Sequence, residues 1–132
     1  MTKEITNIKP AATARIIRKA LKAEYPETKF SVVTETYSGG ASIDISYTDG
    51  PSFDEMRAFV APFKGAGFDS LVDYQYNVNA WLLSDGTVQI AQVEGTDSML
   101  GSVPAVSNPA PTADAQLVHF GADYIFHRQY AS

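Results

Sequence analysis

At 132 residues, 45% of them hydrophobic and 11% aromatic, the chain carries enough apolar surface for one core, so a single domain over 1–132 is expected. It has no cysteine, which excludes disulfides, thiol nucleophiles and thiolate metal sites. Residues 1–29 hold seven Lys or Arg against three Glu, while residues 30–132 hold three against twelve, so a +4 segment precedes a −9 body in a chain of net −5.

No apolar run reaches the roughly 20 residues of a membrane span, and Met1–Thr6 has no apolar signal-peptide region. A host-cell cytoplasmic protein without membrane association is expected. Pro10–Glu24 reads as the first helix, with Pro10 in its first turn and Tyr25-Pro26 at its end. Ala14, Ile17, Ala20 and Leu21 form its apolar stripe. Arg15, Arg18, Lys19 and Lys22 share the opposite side, either a phosphate- or acid-facing surface or an ordinary solvated face.

Phe30–Tyr37 and Ser42–Thr48 read as two strands joined by a type I′ turn at Gly39-Gly40. That turn pairs Tyr37 with Ser42, Thr36 with Ile43, Thr34 with Ile45 and Val32 with Tyr47. Phe30, Val32, Ile43, Ile45 and Tyr47 then share a core-facing surface, and Val33, Glu35, Ser42, Asp44 and Ser46 face the other way. The same register sets Glu35 opposite Asp44, a pair that either shares a proton or cation or splays into solvent. Asp49-Gly50-Pro51 closes the second strand, and Ser52 with Glu55 is a capping-box pattern. Phe53, Met56, Val60 and Phe63 recur at helical spacing, so a second helix covers about 52–63.

Beyond it, Tyr74–Val78 has weak strand character, and Trp81–Leu83 with Val88–Val93 form a hairpin around Asp85-Gly86. Tyr74, Tyr76 and Trp81 either line a groove or pack. Residues 94–112, with three Pro and two Gly, read as a flexible loop or short linker. Gln116–Phe120 and Asp123–Tyr130 return to strand character, and Tyr124, Ile125 and Phe126 predict a docked C-terminal segment. The fold class is α+β: an antiparallel sheet built on the central hairpin, with two helices (about 10–24 and 52–63) packed on one face.

Chemical signatures are sparse. No nucleotide-binding glycine pattern and no Gly-x-Ser-x-Gly elbow occurs. The two histidines, His119 and His127, lack metal-ligand spacing, so no metal or cofactor is expected. Asp69, Asp73 and Asp123 are candidate site carboxylates, although a turn or N-cap role is the commoner explanation of each.

Several segments in order resemble one family: Lys29-Phe30-Ser31-Val32, Ser38-Gly39-Gly40-x-Ser42-Ile43-x-Ile45, Thr48-Asp49-Gly50-Pro51, Phe68-Asp69-Ser70 with Asp73, and Gly121-Ala122-Asp123-Tyr124-Ile125-Phe126 with Arg128. The family belongs to the large polyvalent protein-associated domains of phages and conjugative elements. The resemblance runs from about Ala11 to Arg128, departs at Tyr47, where a Trp is expected, and is weakest over 79–112. It implies an α+β module delivered with mobile DNA, with Ser42, Asp49, Gly50, Asp69, Asp73, Asp123 and Arg128 as motif residues of functional or turn-shaping role.

Three functional readings follow. The first is a non-enzymatic accessory protein that binds a host macromolecule, in particular a defence protein or complex, in anti-restriction or anti-CRISPR-like counter-defence. Its basis is the −9 body, which suits a basic surface. The second is a nucleic-acid module using Arg15, Arg18, Lys19 and Lys22. The third is a small enzyme, which requires Asp69, Asp73, Asp123, His127 and Arg128 to converge in one cleft. The enzyme question is left open in the sequence, with the non-enzymatic reading preferred.

Overall fold

The computed structural model describes residues 4–38, 40–69, 74–95 and 105–130, with 66–69 and 74–76 described by backbone alone. Gly39 and Asp73 lie outside the described residues, as do residues 96–104 of the expected loop.

In chain order the elements are β1 (Thr6–Ile8), α1 (Pro10–Glu24), β2 (Phe30–Tyr37), β3 (Gly40–Thr48), α2 (Phe53–Val60) with a 3-10 turn (Ala61–Phe63), β4 (Ala66–Asp69), β5 (Tyr74–Leu82), β6 (Val88–Val93), β7 (Val106–Ser107), β8 (Gln116–Phe120) and β9 (Tyr124–Tyr130). They form two sheets. The larger runs β1-β8-β5-β6-β7, with β4 paired to β5; the smaller runs β2-β3-β9. Pairing is antiparallel except at β1–β8 and β3–β9, which are parallel. The class is α+β.

Both helices start where the sequence places them. Pro10 opens α1, and Ser52 closes a capping box on α2, its Oγ accepting from the Glu55 N–H at 3.2 Å. Ala14, Ile17 and Leu21 of α1 and Met56 and Val60 of α2 bury against Val32, Ile43, Ile45 and Tyr47, so both helices cover one face of the hairpin sheet. Ala80, Val118 and Phe120 of the larger sheet join the same cluster. Thr13 is also fully buried in α1, its hydroxyl satisfied by the Lys9 carbonyl at 3.0 Å, which removes the cost of burying it.

The hairpin register differs from expectation by two residues. Tyr37 pairs with Gly40, Glu35 with Ser42, Val33 with Asp44 and Val32 with Ile45. Gly40 therefore belongs to β3 rather than to the turn. Gly40 serves a different purpose from the expected turn: a Cβ there would run into the Asp123 carboxylate and lie 3.3 Å from the Tyr37 ring. Because side chains alternate with a period of two, a two-residue slide leaves each on the face expected of it. Val32, Ile43, Ile45 and Tyr47 are buried as expected, whereas Phe30 is only partly buried and Ser42, expected on the solvent side, is buried at the centre of the sheet; Glu35 and Asp44 are not directly opposed.

Three strands were not expected: β1, β4 and β7 have three, four and two residues and are specified by their partners rather than by their own pattern. Within the 94–112 stretch, residues 106–108 are tied to neighbouring strands. Val106 and Ser107 pair with β6, and the Asn108 side chain donates to the Ile90 carbonyl at 2.9 Å. The Asn108 carbonyl accepts from Trp81 Nε1 at 2.9 Å, so Trp81 is a packed residue rather than a groove wall. Among the described residues no helix is long and apolar enough to cross a membrane.

Candidate functional site

The helices cover one face of the hairpin sheet, and the other carries a set of exposed side chains. Cross-strand register arranges its outward side chains in rows. Glu35, Ser42 and Tyr124 form one row; Val33, Asp44 and Phe126 the next; Ser31, Ser46 and Arg128 a third; Thr48 and Tyr130 end the array. Tyr37 stands beside Gly40 at the hairpin end. Neighbours within a row are separated by one strand spacing, about 4.8 Å.

This face is unusually apolar for solvent-facing sheet. Val33 is 56% exposed, Tyr37 46%, Tyr124 45%, Phe126 51% and Tyr130 52%. Scattered exposed apolar residues need no explanation, but five on one three-stranded face form a patch, and patches mark interaction sites. Tyr124 and Phe126, two residues apart on β9, stack with ring centroids 6.2 Å apart and an interplanar angle of 12°.

Carboxylates border the aromatic rings. Asp123 lies over Gly40, Glu35 lies beyond Ser42, and Asp44 stands beside Phe126. The Tyr37 hydroxyl is held above its ordinary pKa by partial loss of hydration, then by the negative charge of Asp123, by Tyr124 and by Glu35. At the opposite end, Lys29, Ser31, Ser46, Thr48 and Tyr130 border an open concavity of about 600 Å³. The single basic side chain within the rows is Arg128.

The structure brings together only some of the sequence-predicted residues. Ser42 and Arg128 lie on this face, and Asp123 at its hairpin edge. Asp49 follows β3 at φ 57° and shapes the turn: its N–H donates to the Tyr130 carbonyl at 2.7 Å, and its carbonyl accepts from Gln129 Nε2 at 3.2 Å. Asp69 ends β4, where the backbone alone is described, and Asp73 lies outside the described residues. Arg15, Arg18, Lys19 and Lys22 are exposed along α1, but Arg18 is engaged, donating to the Val32 carbonyl at 2.6 Å on the outer edge of β2.

The convergence that an acid–base cleft requires fails at β9. His127 lies on the inner face against Phe53 of α2, with ring centroids 4.5 Å apart, whereas Arg128 is on the outer face beside Ser46. Among the described residues no group of three or more His, Asp or Glu side chains is placed to hold a metal.

Sequence reasoning missed the aromatic members of the face. It read Tyr124, Ile125 and Phe126 together as a docked segment; only Ile125 is buried. The available signal was alternation: a strand with apolar residues at 124, 125 and 126 has apolar groups on both sides, so one side needs a partner other than the core.

The chain matches the profile of large polyvalent protein associated domain 29 over residues 8–132. No curated protein and no solved structure matches it. The match spans α1, both sheets and the outward aromatic face, and the chain belongs to the large polyvalent protein associated domain 29 family, a domain associated with phages and mobile elements.

Proposed function

We propose that this chain is a non-enzymatic accessory module, acting in the host-cell cytoplasm, that binds a host macromolecule through the outer face of its hairpin sheet. The target is a protein or complex of host defence, and the effect is counter-defence of the anti-restriction or anti-CRISPR kind. The observation that carries this reading is the uncovered face with its five exposed large apolar side chains. The −9 balance of residues 30–132 supports a partner whose own surface is basic, as a nucleic-acid-binding protein's is. Membership in a family associated with phages and mobile elements supports a role in the host during transfer or infection. No metal or cofactor enters the proposal.

The test is capture of partners from a bacterial lysate by tagged chain, with and without nuclease, at two salt concentrations. The expected result is a protein retained after nuclease, weakened by salt, and lost when Tyr124 and Phe126 are both replaced by Ser. Retention insensitive to salt and to reversing Glu35 and Asp44 to Lys would overturn it.

A second reading is a nucleic-acid module on α1, favoured by the exposed cations Arg15, Lys19 and Lys22. Arg18 adds less to it, being tied to β2. It predicts a salt-dependent mobility shift with DNA or RNA that is abolished by replacing the four cations with Glu. Capture that disappears with nuclease would favour it.

A further inference from the structure

We infer that the stacked pair Tyr124 and Phe126, with Asp44 beside it, is a receptor for an arginine side chain presented by a partner protein. This rests on the proposed binding role of the outer face and names the chemistry by which that face recognises its partner. The two rings are half exposed and nearly parallel, so a planar guanidinium can lie against either of them. Asp44 stands one strand spacing from Phe126 in the same row, partly buried between it and Val33. A guanidinium over Phe126 therefore meets a carboxylate at its edge, the geometry in which stacking and a charge-assisted hydrogen bond act together.

Other charges on the face agree. Glu35 and Asp123 add negative potential on the hairpin side. Arg128 lies one row away, beside Ser46, and the Arg57–Asp54 ion pair is on α2, away from this face. The same carboxylates argue against nucleic acid as the occupant. Sheet platforms that stack bases need cations for the backbone, whereas the two rows around this pair hold Glu35 and Asp44 and no basic residue. An apolar aromatic centre edged by carboxylates fits an arginine-bearing protein surface.

The test is titration of the ¹⁵N-labelled full chain with a short arginine-rich peptide, a lysine-rich peptide of equal charge and a single-stranded oligonucleotide. The expected result is tighter binding of the arginine peptide, with shifts at Tyr124, Phe126 and Asp44. Affinity should fall about tenfold when Tyr124 and Phe126 are both replaced by Ala. Asp44→Asn should narrow the preference for arginine over lysine, and replacing Arg15, Lys19 and Lys22 should change neither. These ring positions are solvent-facing, so the variants keep the fold, which amide spectra verify. Equal binding of the two peptides, unaffected by the ring variants, would overturn the inference in favour of diffuse attraction to the acidic body. So would oligonucleotide binding on the same rows. No peptide binding, alongside capture from lysate that still requires Tyr124 and Phe126, would overturn the arginine receptor while leaving the binding role intact; loss of both would remove both.

Discussion

Gly65 sits where three segments cross. Its N–H donates to the Ala122 carbonyl and its own carbonyl accepts from Val78 N–H, each at 3.0 Å. A Cβ there would fall on the Phe120 carbonyl oxygen and lie 3.2 Å from the His119 ring. The obstruction is backbone, which cannot rotate aside as a side chain can. Gly65→Ala is expected to cost about 1–3 kcal/mol, read as a lower urea midpoint at unchanged slope. His127 gives a pH signature at the same scale. Its Nδ1 is buried without a hydrogen-bond partner among the described residues. Burial first, then the charges of Lys64 and Arg57, hold its pKa below the ordinary 6.5. The unfolded chain therefore binds this proton more readily, so its contribution to stability is complete above about 6.5 and is lost as pH falls toward the folded value. His127→Gln should flatten that part of the stability profile, measured by urea unfolding between about pH 5 and 8.

At the scale of elements, α2 has eight residues, too few to hold together by propensity alone, so its cap and its packing sustain it. Ser52→Ala removes the acceptor for the Glu55 N–H and should cost about 1 kcal/mol, measured by thermal or urea unfolding. The capping box was readable because its four-residue pattern contains both partners. The Asp85-Gly86 hairpin was readable for the same reason: Gly86 has φ 89°, and Asp85 accepts from the Thr87 hydroxyl at 2.7 Å and from its N–H at 2.9 Å. The central hairpin was half readable. Its faces follow from alternation, but its register, with Gly40 in β3 and close against Asp123 some eighty residues away, does not. Strands β1, β4 and β7 were illegible because strands this short are specified by the edge they complete.

Across the whole molecule, residues of both sheets and both helices share one buried cluster, in which Phe120 is among the largest fully buried side chains. Phe120→Ala should cost about 3–5 kcal/mol. Trp81 belongs to a second, smaller cluster with Ala91, Ala115 and Leu117. Trp81 fluorescence and far-UV circular dichroism are expected to report the same urea transition; separated midpoints would show two cooperative units in place of the single domain expected from length. The charge asymmetry also acts at this scale. The basic cluster stays on α1, and the small sheet turns an acidic, aromatic face away from the helices.

The sequence by itself determined the helices, the α2 capping box, the Asp85-Gly86 turn and which residues of the two hairpin strands face the core, because each depends on neighbours a few positions apart. It also identified the family, since that rests on short motifs in order. Tertiary structure alone decided the candidate site. Tyr124 and Phe126 become neighbours of Asp44 through parallel pairing of β3 with β9, a contact across roughly eighty residues. That same pairing puts His127 and Arg128 on opposite faces, a consequence of strand alternation that follows once β9 is placed. Exposure of the rings was the last to be decided, since it required knowing that both helices pack on the other face, and no local pattern in β9 reports where α1 and α2 lie.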